Sequence, residues 1–346
     1  MRIFAADIGG TYSRFGLFET ESSAAGLHCL AEARISSSVP TFGALLDRLS
    51  STCAGLSPDM ADAAALAVAG PVHDRDSIQL TNLPFAVNTA ELRRRAPGIR
   101  AALLNDFEAQ ALACLTPVMA RASIMAGTAS PPENADESNT GPAVFCFPVS
   151  GRHSPCALIG AGTGLGMAIL TPDTSEPGGA RVLASEGGHA AFAFADAGER
   201  AFGDFTAARK GLAYARGEDV LSGSGLALLH EFLTGRMLEP AGITADPGFA
   251  DSGTCLQFAR FYGRACRHLA LTCLPSDLVI TGGIAARCPS LARHTAFREE
   301  FLNAPGRHRS LLEGVRIWLN TDQNSGLWGA ALAGLRSCGA ASGELR

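Results

Sequence analysis

Residues 2–11 read RIFAADIGGT, a short apolar run that ends in a glycine turn, and apolar character resumes at 14–18. This pattern predicts a strand, a tight turn and a returning strand. The same pattern recurs at 157–166, which read ALIGAGTGLG and are followed by the apolar run 167–170. Gly10-Thr11 aligns with Gly162-Thr163 without a gap, so we expect two related lobes that each begin with a glycine hairpin.

The rest of the chain alternates between strand-like and helix-like segments, which predicts an α/β fold throughout. Residues 127–143 are rich in Ser, Pro, Glu, Asp, Asn and Gly without periodicity, and we interpret them as a polar loop. Short apolar runs predict further strands at 64–68, 101–104, 277–281 and 315–319, and helical patterns lie at 89–95, 107–115, 220–233, 255–271 and 326–335.

Composition excludes several classes of protein. The 346 residues suit about two domains. The net charge of −5 argues against nucleic-acid binding. The sequence has no 18-residue apolar run and no secretory signal, so we expect a cytoplasmic protein with no membrane partner and with reduced thiols. Lys210 is the only lysine and fits neither a Walker A loop nor a protein kinase. The ten cysteines contain no Cys-x-x-Cys pair, so a structural zinc site is unsupported.

Two glycine turns offer closely spaced backbone N–H groups, which can bind a phosphate chain where lysines are absent. Glycine allows close approach, and the threonine in each turn adds a hydroxyl donor. Each turn by itself is also compatible with an ordinary hairpin. The second turn does not match the Gly-x-Gly-x-x-Gly motif of dinucleotide-binding proteins. Its glycines stand at every second position, and a strand rather than a helix follows them.

Several polar side chains stand at strand ends, helix starts or glycine-rich loops. Asp7 ends the first strand, where it could hold Mg²⁺ directly or through water, or stabilise the turn. Asn105 and Asp106 follow a strand and could cap a helix or face a ligand. Residues 186–189, EGGH, would present Glu and His from a loop, and Glu218 could be a surface acid near a helix start. An amide, an imidazole and carboxylates that converge would suit a polyhydroxylated ligand.

Six motifs, in this order and across nearly the whole chain, resemble the bacterial glucokinase family. They are DIGGT at 7–11, LNDF at 104–107, GAGTGLG at 160–166, EGGH at 186–189, VLSG at 220–223 and TGGI at 281–284. The resemblance implies two actin-like, ribonuclease H-like lobes around a central ATP and sugar cleft. It implies a small lobe over 1–116 joined by a C-terminal helix at about 323–338, and a large lobe over 117–322. Sugar kinases with a Cys-rich zinc motif match less well.

The resemblance also implies the activity, which is Mg²⁺-requiring, ATP-dependent phosphorylation of the 6-hydroxyl of glucose or a close hexose, the first step of glycolysis. Asp106 would be the general base, and the sugar would be bound by Asn105, Asp106, Glu186, His189 and Glu218. ATP would be bound by Asp7, Gly9, Gly10, Thr11, Gly160, Gly162, Thr163, Gly164, Gly282 and Gly283, with Asp7 holding Mg²⁺ through water. A homodimer is implied by the same resemblance.

The sequence departs from the family at three places. Asn82-Leu83-Pro84-Phe85 replaces the usual Asn-x-x-Trp, Ser185 replaces a glycine, and residues 127–154 are longer and more irregular than in the family. Two alternatives therefore remain open at this point: a catalytically idle sugar sensor of the same fold, and an actin-like ATPase that acts on a substrate other than a sugar.

Overall fold

The computed structural model describes residues 1–21, 23, 26–70, 72, 76–80, 83–125, 154–176 and 178–339. The predicted polar loop at 127–143 and Asn82 lie outside these ranges. The strands are β1 (Arg2–Ile8), β2 (Tyr12–Glu19), β3 (His28–Ser36), β4 (Ala63–Val68), β5 (Ser77–Gln79), β6 (Ala86–Asn88), β7 (Arg100–Asn105), β8 (Ser123–Ile124), β9 (Cys156–Ala161), β10 (Leu165–Pro172), β11 (Ala180–Ser185), β12 (Asp277–Thr281) and β13 (Arg316–Leu319).

The helices alternate with strands before β11, whereas several helices follow one another after β11 and after β12. They are α1 (Phe42–Thr52), α2 (Thr89–Arg95), α3 (Asp106–Ala113), α4 (Ala197–Lys210), α5 (Gly217–Val220), α6 (Gly223–Thr234), α7 (Pro240–Thr244), α8 (Gly253–Cys273), α9 (Gly282–Arg287), α10 (Ser290–Arg293), α11 (Thr295–Phe301), α12 (Gly306–Glu313) and α13 (Ser325–Gly339). Within the described ranges, no helix combines the length and the apolar character that a membrane span requires.

Two large mixed sheets share one topology. The first has the strand order β3-β2-β1-β4-β7, and the second has the order β11-β10-β9-β12-β13 with the short β8 added at its edge. Each sheet contains an antiparallel hairpin, β1-β2 in the first and β9-β10 in the second. A later strand pairs in parallel with the first strand of the hairpin: β4 pairs with β1, and β12 pairs with β9. This repetition supports the expectation of two related lobes.

The hairpins are not identical in length, however, and the gap-free alignment is wrong by one residue. Ile8 pairs with Ser13 in the first hairpin, whereas Ala161 pairs with Leu165 in the second. Four residues therefore separate the paired positions in the first turn, and three separate them in the second. A one-residue change in a hairpin turn alters its backbone conformation, so the two turns present their N–H groups differently.

Each sheet is covered on both faces, which explains why its central strands are apolar without alternation. On the first sheet, α1 and α2 cover the face that carries Phe4 and Ile8, and α3 with α13 covers the face that carries Ile3 and Ala5. On the second sheet, α6 and α8 cover one face. Its other face packs against α3, which therefore lies between the two sheets.

Candidate active site

The first glycine turn has a fixed shape and an exposed tip. The N–H of Gly9 donates to the carbonyl of Tyr12 at 3.2 Å, and the Ser37 hydroxyl donates to the carbonyl of Gly9 at 2.7 Å. A second bond runs from the Ser37 N–H to the carbonyl of Thr11 at 3.0 Å. Gly10 and Thr11 are exposed at the tip. Ser37 on the adjoining segment thus holds the turn, and its tip is open to a ligand.

The second turn lies beside the start of two helices. The N–H of Gly162 donates to the carbonyl of Gly164 at 2.8 Å, and the N–H of Gly223 in α6 donates to the carbonyl of Gly162 at 2.9 Å. A Cβ on Gly162 would lie 3.8 Å from the backbone nitrogen of Gly283 in α9. Thr163 is exposed at the tip. The structure thus brings together Gly162, Thr163, Gly164 and Gly283, as the sequence predicts for an ATP site.

Gly282 occupies a position that requires glycine. Its φ of +91° lies where side chains are rarely tolerated, and a Cβ there would lie 2.8 Å from the carbonyl oxygen of Ala161. This conformation turns the chain sharply from β12 into α9 and keeps α9 against the second hairpin.

Gly160 belongs to the core rather than to the turn, and its assignment to the ATP site is revised. It is buried within β9 opposite Gly166 in β10, and the ring of Phe107 lies against both glycines. A Cβ would come within 2.7 Å of that ring at Gly160 and within 1.9 Å at Gly166. These two glycines therefore make room for Phe107 of α3.

Asp7 is held at the junction between the sheets. The Arg14 guanidinium lies 3.9 Å from its carboxylate, and Gly326 of α13 packs so closely that a Cβ there would be 3.0 Å from Asp7 Oδ2. Gln110 of α3 also borders Gly326 and accepts a hydrogen bond from the Thr281 hydroxyl at 3.1 Å. Burial raises the pKa of Asp7, and Arg14 partly opposes this. Gln110 thus connects α3 to the end of β12 and lies, like Asp7, beside Gly326.

Asn105 caps α3, as one of its two sequence-based interpretations predicts. Its Oδ1 accepts from the N–H groups of Phe107 at 2.8 Å and Glu108 at 3.3 Å, while Glu108 accepts from the Asn105 N–H at 3.0 Å. The Asn105 Nδ2 donates to the carbonyl of Gly70 at 2.9 Å and has a second hydrogen to offer. The cap fixes the first turn of α3, where Asp106 is located.

The Asp106 carboxyl group has a strongly raised pKa. Burial and the nearby charge of Asp7 raise the pKa of the Asp106 carboxyl to about 7, with a smaller contribution from Glu186. The N–H of Phe107 donates to Asp106 Oδ1 at 2.9 Å and opposes the rise. A carboxylate with a pKa near neutrality suits general-base chemistry, because it can accept a proton and remain largely ionised above pH 7.

The predicted sugar-binding acids and imidazole converge. His189 lies 3.4 Å from Glu186 through Nε2 and 3.2 Å from Glu218 through Nδ1. Glu218 also borders the second turn, because a Cβ on Gly164 would lie 3.1 Å from its Oε2. The EGGH segment forms a 3₁₀ turn at Gly187–His189 rather than an open loop. Two carboxylates, from the EGGH segment and from α5, and one imidazole therefore line one region beside the second turn.

Two of the departures from the family motifs have structural explanations. The Ser185 hydroxyl accepts from the N–H of Gly187 at 3.1 Å and so supports the turn before His189. Phe85 is buried in the core of the first lobe, while Leu83 and Pro84 line a pocket of about 450 Å³ next to Gly10. The third departure, 127–154, lies almost wholly outside the described residues.

Four neighbours of the site were not predicted from the sequence. Arg14 could have been found, because the predicted hairpin places it directly opposite Asp7. Gln110 is one helical turn beyond Asp106, a spacing that also puts it near the same ligand. Phe107 could not have been found in this way, because the glycines that it contacts lie far along the chain. Arg216 could not have been found either, because its contacts depend on a turn that the sequence does not specify.

Comparison with known proteins agrees with this architecture. A family model described as Glucokinase matches residues 4–337. A glucokinase of Chromobacterium violaceum is 32% identical over 337 residues, covering 94% of this chain and 87% of its own.

Among solved structures, a glucokinase from an Antarctic psychrotroph superposes with a TM-score of 0.74 at 26% identity, covering 96% of this chain and 98% of its own. A glucokinase of the ROK family from Streptomyces griseus, in complex with glucose and AMPPNP, shares the fold with a TM-score of 0.54 at 19% identity. That match covers 96% of this chain and 99% of the other. With the two hairpin sheets and the converging carboxylates, these matches confirm the resemblance, and the chain belongs to the glucokinase family.

Proposed function

We propose that the chain transfers the γ-phosphoryl group of ATP to the 6-hydroxyl of glucose. The observation that carries the proposal is Asp106, a carboxylate with a pKa near 7 that lies within electrostatic range of both Asp7 and Glu186. It thus connects the phosphate side of the site with the sugar side. Relatives named glucokinase, and a ROK-family glucokinase of the same fold solved in complex with glucose and AMPPNP, support this choice of substrates.

The proposed roles follow from the chemistry of each group. Asp106 accepts the hydrogen bond of the sugar's 6-hydroxyl, orients that oxygen for in-line attack, and takes its proton as the new P–O bond forms. Position matters more than basicity here, because the transition state of phosphoryl transfer is loose. The other hydroxyls are both donors and acceptors, and they would be bound by Asn105, Glu186, His189 and Glu218.

The phosphate chain would be bound by backbone N–H groups of the two turns. We assign this role to Gly9, Gly10 and Thr11 on one side and to Gly162, Thr163 and Gly164 on the other, with Gly282 and Gly283 beside the adenosine. Preorganised N–H donors stabilise the charge that develops on the transferred group. Gly160 is left out because Phe107 covers it.

The residues present fit a Mg²⁺ ion. Hard divalent cations prefer carboxylate oxygen and water, and Asp7 presents a largely buried carboxylate whose cationic neighbour, Arg14, is 3.9 Å away. Asp7 would hold the ion through water. Bound there, Mg²⁺ would neutralise phosphate charge during transfer.

We propose the lobe boundaries, location and assembly on the family resemblance. The small lobe would comprise 1–116 with the C-terminal helix, and the large lobe 117–322. Packing of α13 against β1 and β4 supports the return of the C-terminal helix to the small lobe. We further propose a homodimer in the cytoplasm.

A coupled ADP-release assay over a panel of hexoses and nucleoside triphosphates tests the proposal. The expected result is the highest kcat/KM with glucose and ATP, dependence on Mg²⁺, and little ATP turnover without sugar. Glucose binding without ADP production would instead indicate a sensor. ATP hydrolysis that no hexose changes would indicate an ATPase with another substrate.

A further inference from the structure

One guanidinium group contacts both Glu218 and His189. Arg216 Nη1 lies 3.0 Å from Glu218 Oε1 and 3.3 Å from His189 Nδ1. Its other two nitrogens are committed elsewhere, since Nε and Nη2 donate to the two carboxylate oxygens of Asp219 at 2.7 and 3.1 Å. Arg216 therefore binds Asp219 through one edge of its fork and presents the remaining nitrogen to two groups of the proposed sugar site.

Asp219 is a rigid anchor for this arginine. Its side chain is only 1% exposed, and it also accepts from the backbone N–H of Arg216 at 3.0 Å and from Lys210 Nζ at 2.8 Å. Hydrogen bonds from Arg216 and Lys210 hold the pKa of Asp219 at about 2 against the effect of burial. The single lysine of the chain thus helps to balance the anchor's charge, and the side chain of Arg216 has little freedom to leave.

The contact with Arg216 favours one of the two neutral tautomers of His189. A guanidinium nitrogen can only donate, so His189 Nδ1 must accept where it faces Arg216 Nη1. The same Nη1 also forms an ion pair with Glu218 Oε1 at 3.0 Å. In neutral imidazole the proton then lies on Nε2, the nitrogen that faces Glu186 at 3.4 Å.

We propose that Arg216, anchored by Asp219, is a positioning residue that orients the sugar-recognition groups, an inference that rests on the proposed function. By pairing with Glu218 Oε1, it leaves Oε2, which faces the second turn, to accept from a sugar hydroxyl. By fixing the tautomer of His189, it makes Nε2–H a donor to a ligand. The site thereby offers a defined pattern of one acceptor and one donor to neighbouring hydroxyls, which discriminates hexoses by hydroxyl position.

Kinetics of Arg216→Met separate positioning from general structural support. We expect the KM for glucose to rise about 10- to 100-fold, because the ion pair and the hydrogen bond that orient Glu218 and His189 are lost. The KM for ATP should stay within twofold, and kcat should fall less than the glucose KM rises. Arg309→Met, which breaks an exposed pair with Glu313, is the matched control and should change neither constant. A glucose KM within twofold of the parent would overturn the proposal.

A spectroscopic test does not depend on whether the protein is active. Long-range ¹⁵N–¹H correlation spectra of ¹⁵N-histidine-labelled protein distinguish the two tautomers, and the His189 signals are assigned by their loss in His189→Asn. We expect the Nε2–H form at pH 8, and a shift toward Nδ1–H, donated to Glu218, in Arg216→Met. An Nδ1–H tautomer in the parent protein would refute the arrangement even if glucose is phosphorylated.

Arg216→Lys covers the case in which the methionine variant does not fold. Lysine keeps one positive charge but cannot donate to Asp219, Glu218 and His189 together. The glucose KM should therefore still rise at least fivefold, and an unchanged value counts against positioning. If the parent protein phosphorylates no hexose, the proposed function fails, and the His189 tautomer still decides whether Arg216 orders this region.

Discussion

Replacing Gly166 by alanine tests whether Phe107 holds the proposed base in place. A Cβ on Gly166 would meet three atoms of the Phe107 ring at 1.9, 2.0 and 2.5 Å, whereas ordinary contact begins at 3.4 Å. The ring would therefore have to move by about 1.5 Å, the difference between 3.4 and 1.9 Å. Phe107 directly follows Asp106 in the first turn of α3, so a displacement of the ring also displaces the carboxylate.

The magnitude of the effect follows from this displacement. A misplacement of about 1 Å costs on the order of 100-fold in rate when a reaction depends on orientation. Overpacking of a core costs about 1–3 kcal/mol of unfolding free energy. We expect kcat to fall about 100-fold and the protein to lose stability in that range. The KM for ATP should change little, because the turn at Gly162 to Gly164 begins beyond the packed ring.

Steady-state kinetics and thermal unfolding measure both effects, with two further variants for comparison. Gly242→Ala adds the same methyl group within α7, where no atom lies within 4 Å, and should leave both quantities unchanged. Phe107→Leu combined with Gly166→Ala should recover part of the lost kcat, since a smaller side chain relieves the overlap. A Gly166→Ala enzyme with at least half of the parent kcat would refute the positioning role of Phe107.

Three further predictions concern the same site. The kcat/KM for glucose should fall about tenfold per pH unit below pH 7, because Asp106 must be ionised to accept a proton; a profile that is flat from pH 5 to 8 would exclude this base. Asp106→Asn should gain about 1–2 kcal/mol of unfolding free energy at pH 8 but little below pH 4, since the parent loses this stability as pH rises from 3.8 to about 7. Denaturant titrations at both pH values measure this change in unfolding free energy. The control is Asp246→Asn, because Asp246 is an exposed acid that also accepts one backbone N–H. Equal changes in unfolding free energy for the two variants would contradict the prediction. Gly282→Ala should raise the KM for ATP at least tenfold, because Gly282 has a φ of +91° and a Cβ there would meet the Ala161 carbonyl. An unchanged KM would show that the start of α9 does not belong to the nucleotide site.

The elements that local signals define could be predicted from the sequence. The predicted bounds of the helix at 89–95 are those of α2, because Asn88 caps it and accepts from the N–H of Glu91. The strand at 277–281 and the hairpins also agree, since apolar runs that end in glycine mark buried strands followed by turns. The helix predicted at 220–233 instead divides into α5 and α6, because Ser222 caps a new helix at Gly223.

Features that depend on contacts across the fold could not be predicted. Gly160 and Gly162 look alike in the sequence, yet one lies under Phe107 and the other lies in the turn. The difference is set by α3, some fifty residues earlier. The pairing of Arg216 with His189 likewise depends on how α5 packs against the 3₁₀ turn at Gly187–His189. The pattern of apolar residues in the sequence does not predict that packing. Motifs indicated which residues to consider, and tertiary packing decided which of them face the ligand.

The rate of phosphoryl transfer by Asp106→Asn, measured with saturating glucose, ATP and Mg²⁺, tests the central claim most directly. Asparagine keeps the size of the side chain and an oxygen that can accept from the Phe107 N–H, but it cannot take the proton of the 6-hydroxyl. We predict a loss of at least about 1,000-fold in kcat, consistent with the removal of a general base together with its orientation of the nucleophile. A rate within tenfold of the parent enzyme would contradict the account.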